Sequence, residues 1–450
     1  MTFTPDLDVL SERKKTIIVE QKQPLRFIDL FAGLGGFHVA LESLGAECLF
    51  AAEKESHLNK LYTKNFKKLS PEHVVSDITK HDLRNIPEHD ILCAGFPCQP
   101  FSKAGKRKGM KDPTNGGLFD IILEIIDLQI RKPSYLLLEN VPNILSLEKG
   151  KYWAYILEEL KERGYSVDYE LLSPHEFGIP QHRKRVFIVA SQNGLDHFEW
   201  PKKGTHNHNI DDFVINEVKN IRELTEDKVE VLSLWQEFLT RLKGQNSLGF
   251  PVWSTEFGAT YPVEVNQSIR YDIDYLKNYK GSFGLPIVKD NSIDRNNVPV
   301  YMRDARRTVK SWKKNYILKN RELYQNNKSW IDGWKKEIMK FPHSLQKLEW
   351  NCQDEERIIE DKIVQFRPSG VRIKSKNSIP TLVAMNMTQV PYFPWLNRYM
   401  SIREGLALQG LNSLEFTLES LSQNYRALGN AVNSEVVRLI SKQLLKEEIK

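Results

Sequence analysis

Over the first 190 residues, short apolar runs alternate with apolar positions at helix spacing. Arg26 to Phe31 reads as a strand, and Phe37, Ala40, Leu41 and Leu44 recur as one face of a helix that Gly45 stops. Further strands are predicted at Cys48 to Ala52, Val74-Val75, Ile91 to Ala94 and Tyr135 to Leu138, the last delivering Glu139-Asn140-Val-Pro142 at its end. Leu118 to Ile130 and Trp153 to Arg163 have helical periodicity, and Ser166 to Leu172 and Val186 to Ala190 are two more strands. Strands alternating with helices predict a mostly parallel sheet covered on both faces. After about Pro201 the periodicity weakens, and regular α/β patterning does not return before Arg367. Within that region Trp330, Trp334 and Ile338 are spaced as the core stripe of a helix, and Ser434 to Glu448 is an amphipathic helix near the C-terminal end.

Composition narrows the class. The chain has 450 residues, 40% apolar and 27% charged, which is ordinary for a globular protein of two or three domains. Four cysteines (Cys48, Cys93, Cys98, Cys352) are too few for a disulfide framework, and Cys93 and Cys98 lack the second pair of a structural zinc site. His206-Asn-His208 reads as a solvated loop, so no metal is expected. There is no 18-residue apolar run and no signal-peptide core in Met1 to Gln23, so neither a membrane span nor export is expected. The expected compartment is the reducing cytoplasm, where a reactive thiol survives. The net charge of +6 is mild, but Tyr301 to Lys347 holds 13 Lys/Arg against 4 Asp/Glu, interleaved with aromatics.

The candidate chemistry sits at strand ends. Ala32-Gly33-Leu34-Gly35-Gly36 follows the first strand and opens a helix, as in nucleotide-binding α/β units, but its glycine spacing is not the dinucleotide Gly-x-Gly-x-x-Gly. Glu53 closes the second strand 20 residues after Gly33, about where such units place a ribose-binding carboxylate. After Ile91 to Ala94 comes Gly95-Phe-Pro97-Cys98-Gln-Pro100, which holds a thiol between two prolines on a stiff loop. Glu139 ends the next strand, and Arg183 and Arg185 stand two apart before a later one. A cofactor loop, a thiol, a carboxylate and two guanidinium groups together suit attack on an electron-poor ring.

These runs carry a family resemblance. Phe27-Ile-Asp-Leu-Phe-Ala-Gly-Leu-Gly-Gly36, Gly95-Phe-Pro-Cys-Gln-Pro-Phe-Ser102, Leu138-Glu-Asn-Val141, Gln181-His-Arg-Lys-Arg185, Pro380-Thr-Leu382 and Leu428-Gly-Asn-Ala-Val432 occur in one order. The chain thereby resembles the C5-cytosine DNA methyltransferases of bacterial restriction–modification type, over about Arg26 to Glu199 and Arg367 to Leu445. The resemblance implies a Rossmann-like α/β domain that binds S-adenosylmethionine, joined to a smaller DNA-recognition domain. The expected boundaries are 1–200 plus 398–450 for the first and 201–397 for the second. The resemblance also implies that Cys98 adds to cytosine C6, that Glu139 binds ring N3 and that Arg185 holds O2, with Arg183 supporting the site or the DNA backbone. For the cofactor it implies Phe31 on the adenine and the Gly33, Leu34, Gly35, Gly36 backbone at the methionine end. It places Glu53 on the ribose, Asp77 and Ile78 around the adenine, and Pro97 and Leu118 lining the pocket. Asn430 and Val432 would reach the methionine portion, so the last helix should fold back onto the first domain.

The implied partner is double-stranded DNA with the target cytosine flipped out. The enzyme is expected to be monomeric, to act on nucleoid DNA and to have a separately encoded restriction endonuclease as its counterpart. Lys54 departs from the pattern, standing where the family often has an aromatic, which puts stacking on that side of the adenine in question. Three rivals explain less. A tRNA cytosine methyltransferase shares the motifs, but its known relatives usually have a short recognition region. A non-catalytic relative is expected to lose Cys98, Glu139 or the arginines. A nicotinamide enzyme explains the glycines but not the Pro-Cys-Gln-Pro loop.

Overall fold

A computed structural model describes residues 23–97, 117–204, 209–215, 222–242, 248–263, 273–299, 303, 309–382, 389–416 and 420–448. Cys98, the basic Lys103 to Lys111 loop and the His206-Asn-His208 segment lie outside the described residues.

Strands β1 (Arg26–Leu30), β2 (Glu47–Ala52), β3 (Val74–Val75), β4 (Ile91–Ala94), β5 (Tyr135–Asn140), β6 (Ser166–Leu172) and β8 (Arg185–Ser191) form a seven-stranded sheet. Its order is β3-β2-β1-β4-β5-β8-β6, with β7 (Gln181–His182) set apart. Neighbours from β3 to β5 run parallel, and β8 runs antiparallel between β5 and β6. Strand order reverses between β1 and β4, the switch point where open α/β sheets bind ligands at the carboxyl ends of the strands. Helices α1 (Gly36–Glu42), α3 (Leu118–Leu128) and α4 (Lys151–Glu162) follow their strands as the patterning predicts, and α2 (Ser56–Asn65), which the patterning does not single out, connects β2 to β3. The strand expected at Tyr135 to Leu138 runs two residues further, because β8 pairs with Glu139 and Asn140 as well.

Alternation along the buried strands sorts their side chains to two cores. Ile28, Leu30, Leu92, Ala94, Leu136 and Leu138 face α3 and α4. Phe27, Ile91, Cys93, Tyr135 and Leu137 face the opposite side, where Phe37 and Leu41 of α1 meet Val436, Val437 and Ile440 of a C-terminal helix. That helix (Ser434–Leu444) does fold back onto the large sheet, as expected.

The middle of the chain is more regular than its patterning suggests. Helix α5 (Glu226–Arg241) buries Val231, Leu232, Trp235, Phe238 and Leu239, a helical spacing that is legible in the sequence. Edge strand β9 (Val252–Trp253), the single-turn α6 (Ile273–Leu276) and a hairpin of β10 (Val288–Lys289) with β11 (Ser292–Ile293) follow. Helices α7 (Ser311–Asn326) and α8 (Lys328–Ile338) come next. Strands β12 (Lys347–Asn351), β13 (Ile363–Arg367), β14 (Gly370–Lys374), β16 (Tyr392–Phe393) and β17 (Arg398–Tyr399) join β9 in a second sheet, ordered β17-β16-β13-β14-β12-β9. On α8, Ile331, Trp334 and Ile338 are buried and Trp330 packs beside them, as their spacing predicts. Trp334 lies 5.0 Å from Trp235 of α5, ring centre to ring centre.

Strand β15 (Ile379–Pro380) pairs with β7, and the Thr381 hydroxyl donates to the His182 carbonyl, so this segment is stitched to the edge of the large sheet's connections. Helices α9 (Ile402–Leu408) and α10 (Leu421–Asn430) then lead to α11 (Ser434–Leu444).

Candidate active site

Register assembles the site. Leu30 stands opposite Ala94, and Ala94 opposite Leu138, so three chain segments far apart in sequence leave the sheet side by side. They are the Phe31–Gly36 turn, the Gly95–Pro97 loop and Glu139 itself.

The glycine turn is shaped for close approach. Phe31 holds φ 57°, a left-handed conformation that costs a non-glycine residue about 1–3 kcal/mol and tends to persist at functional sites. Gly35 has φ 81°, and a Cβ there would meet the Phe66 ring at 2.5 Å. A Cβ on Gly36 would collide with the Val432 carbonyl oxygen, whereas no atom lies within 4 Å of one built on Gly33. The Gly33 N–H donates to Glu53 Oε2 at 2.7 Å, and the Glu55 N–H to Glu53 Oε1 at 2.8 Å. Burial pushes the Glu53 carboxyl upward in pKa, against those two donors.

Leu34 differs from its neighbours, because its side chain is buried in the core shared with the second sheet; only its backbone belongs to the turn. Asp77 accepts from the Thr79 hydroxyl at 2.7 Å and lies 3.3 Å from the Lys54 ammonium, which together hold its carboxyl below the usual range. The departure at Lys54 thus places a cation where a ring was expected. Ile78 is buried beneath this edge, and Pro97 is exposed. Leu118 is the first residue of α3, whose start is fixed by the Gly117 N–H donating to Asp120 at 2.6 Å. Asn430 ends α10 exposed, and Val432 reaches the glycine turn.

Around Glu139 the geometry is that of a buried acid with a guanidinium partner. Arg185 Nε lies 2.9 Å from Glu139 Oε1, and Glu139 Oε2 would be 3.9 Å from a Cβ on Gly95. Burial raises the Glu139 pKa, and the charges of Arg185 and Arg183 pull against it; the net direction is up. Arg183 is buried and its guanidinium donates to the carbonyls of Gly429 and Ala431. One residue was not singled out from the sequence. Asn140 Nδ2 donates to the Phe96 carbonyl at 2.8 Å, while its Oδ1 accepts from the Val141 N–H at 2.8 Å. It ties the loop that precedes Cys98 to the strand that carries Glu139. Its place in the Glu-Asn-Val run was the available signal. Among the described thiols, burial raises the pKa of Cys93, Cys48 and Cys352, the last to about 12.

The Gly95–Pro97 loop, a buried acid and a glycine turn leave the sheet at one switch point, and comparison with known proteins says which family carries this arrangement. The profile of C-5 cytosine-specific DNA methylases matches residues 25–446.

The chain belongs to that family.

The methylase is 30% identical to the type II methyltransferase M.AluI of Cellulosimicrobium cellulans over 94% of this chain and 92% of that protein. It is 39% identical to the type II methyltransferase M.HhaI of Haemophilus parahaemolyticus over 48% of this chain and 65% of that protein. A solved methyltransferase from Entamoeba histolytica aligns with 94% of the methylase at 15% identity and a TM-score of 0.49, which adds nothing to the topology above. The methylase is a DNA cytosine-5 methyltransferase with a Rossmann-like α/β core. Among the described residues no helix is long and apolar enough to cross a membrane.

Proposed function

We propose that the methylase transfers a methyl group from S-adenosylmethionine to C5 of a cytosine flipped out of a specific short site in double-stranded DNA, through a covalent bond between Cys98 and ring C6. The meeting of Glu139, Arg185 and the Gly95–Pro97 loop at one sheet edge is the observation that carries this reading. The residues present fit the cofactor: there is open space at Gly33, the Glu53 carboxylate is buried against the Gly33 N–H, and Asn430 is exposed. Phe31, Gly33, Leu34, Gly35, Gly36, Glu53, Asp77, Ile78, Pro97, Leu118, Asn430 and Val432 form that pocket in this reading. The bound cofactor supplies an electrophilic methyl group.

The protein's part is to make C5 a nucleophile. The Cys98 thiolate adds to C6, which leaves C5 enamine-like, and Glu139 stabilises the charge developing at N3. A carboxyl whose pKa is raised can hold the proton this requires. Arg185 sits against Glu139 and reaches for O2. Once C5 carries the methyl group, its proton leaves to water and the thiolate is expelled, which restores the aromatic ring. A cytosine inside a duplex cannot be reached by a thiol, so the base must leave the stack.

The recognition unit in this reading is 201–397, and 1–200 with 398–450 is the catalytic unit; β17 pairs across that seam. Helix α7 and the groove of about 1020 Å³ lined by Phe250, Trp253, Trp312, Tyr316, Lys347 and Arg372 offer cations and ring faces for DNA. Phe257 and Tyr261, in contrast, are buried packing residues. The enzyme acts as a monomer in a bacterial cytoplasm, on nucleoid DNA, and protects sites cut by a separately encoded endonuclease.

Bisulfite sequencing of DNA from cells that express the protein reads the site and the modified position together. DNA carrying fluorine at C5 of that cytosine should trap an adduct on Cys98, since fluorine cannot leave as the proton does. An adduct recovered on Cys93 or Cys48, or undiminished turnover by Cys98→Ser, would overturn the assignment.

A further inference from the structure

Arg183 is 2% exposed, and its backbone N–H is anchored on Ser173 Oγ at 2.9 Å. Its two terminal nitrogens donate to backbone carbonyls: Nη1 to Gly429 at 3.0 Å and Nη2 to Ala431 at 2.8 Å. These carbonyls lie at the C-terminus of α10, where helix geometry leaves carbonyl oxygens without amide partners and the macrodipole favours a cation. They flank Asn430. Immediately beyond, the Val432 carbonyl presses on Gly36, and Val432 Cγ2 would lie 3.2 Å from a Cβ on Gly95. Val432 is therefore wedged between the glycine turn and the loop that leads to Cys98. The next residue, Asn433, caps α11 through the Val436 N–H at 3.0 Å, so the turn is pinned downstream as well.

We infer that Arg183 is a positioning residue for the cofactor: by holding the Gly429 and Ala431 carbonyls it sets the turn that presents Asn430 and Val432 to S-adenosylmethionine, and it does not contact the DNA backbone. The inference rests on the cofactor pocket proposed above. Arg183 stands two residues before Arg185, so one short segment holds the cytosine-side acid at Glu139 and the cofactor-side turn together. A planar guanidinium spans two carbonyls with two parallel donors; a lysine ammonium is a point charge on a flexible stem and does not reproduce that fork.

The experiment compares Arg183→Lys, Asn430→Ala and the double variant with the wild type. Cofactor affinity is read by calorimetric titration of S-adenosylmethionine without DNA, and KM for cofactor and for DNA by methylation assay. Arg183→Lys should weaken cofactor binding tenfold or more, and raise KM for cofactor to match, while KM for DNA stays within twofold. The double variant should bind cofactor no more weakly than the worse single one, because both act through one turn. Hydrogen exchange should quicken in the peptide spanning 429–433 and stay slow in β1 and β4, which separates a loosened turn from an unfolded chain. Unchanged cofactor affinity, a loss confined to DNA binding, additive losses in the double variant, or protection kept at 429–433 would each overturn the inference. Failure of the wild type to bind S-adenosylmethionine would instead overturn the proposed function.

Discussion

Asp29 illustrates how a single buried group reports on its surroundings. It is fully buried in β1, its Oδ1 has no hydrogen-bond partner among the described residues, and Tyr62 donates to Oδ2 at 3.4 Å. Burial raises its pKa well above the usual carboxylate value. A carboxyl with a raised folded pKa gives its full stabilisation below its unfolded pKa, and loses it as pH rises toward the folded value. Asp29→Asn should therefore be most favourable at high pH, its advantage shrinking on acidification by at most about 1.4 kcal/mol per pH unit. Thermal melts from pH 5 to pH 8 measure this; a pH-independent difference would show that Asp29 is ionised in the fold. Asn140 makes a kinetic counterpart. Asn140→Ala removes the donor to Phe96 and, if the loop leading to Cys98 carries the proposed nucleophile, should lower kcat about 100-fold with DNA affinity nearly kept, because a small misplacement of a reacting group is costly. Asn140→Asp keeps the acceptor for Val141 but not the donor, so it should remain slow in steady-state assays; recovery to wild-type kcat would exclude the tether. Cys98, Glu139 and the arginines were legible as residues in their motifs. The tether and the fork of Arg183 were not, because both end on backbone carbonyls, which no side-chain pattern marks.

At the level of elements, the large sheet follows its patterning closely. Buried strands such as Ile91 to Ala94 read as continuous apolar runs, and helix stops such as Gly45 and Gly164 take left-handed backbone in the fold. The small sheet was harder to see because its strands are short, two to five residues, and pair mostly with partners far away in the chain. Helix α5 is different: its spacing was present, but it lies among segments without periodicity. Helix α11 is the most informative single element, since the large sheet's second core is closed by its apolar face. Ile440 is 1% exposed there, and Ile440→Ala should cost about 2–5 kcal/mol in urea denaturation. A cost below about 1 kcal/mol would mean that α11 does not close this core.

For the whole molecule, the question is how a protein of modest net charge engages a polyanion. Positive charge is concentrated in the middle region, and Lys313, Lys314 and Lys319 lie on α7 beside the aromatic groove. Replacing all three with Gln should weaken DNA binding at every sequence alike and flatten the plot of log affinity against log salt by about 1 per phosphate contact removed. Binding measured between 50 and 200 mM salt, roughly the range over which counterion release is visible, tests this. An unchanged slope would place DNA elsewhere on the molecule.

The sequence by itself determined the class of fold, the family and the chemistry available, because strand and helix periods and short motifs are local properties. Tertiary structure alone decided which residues meet. Parallel register lines up the ends of β1, β4 and β5, so a glycine turn, the Gly95–Pro97 loop and an acid from distant stretches share one edge. The return of the last helix sets Val432 between two glycines, where a missing Cβ makes room for it. Such contacts depend on distances across the core, which one-dimensional spacing does not encode.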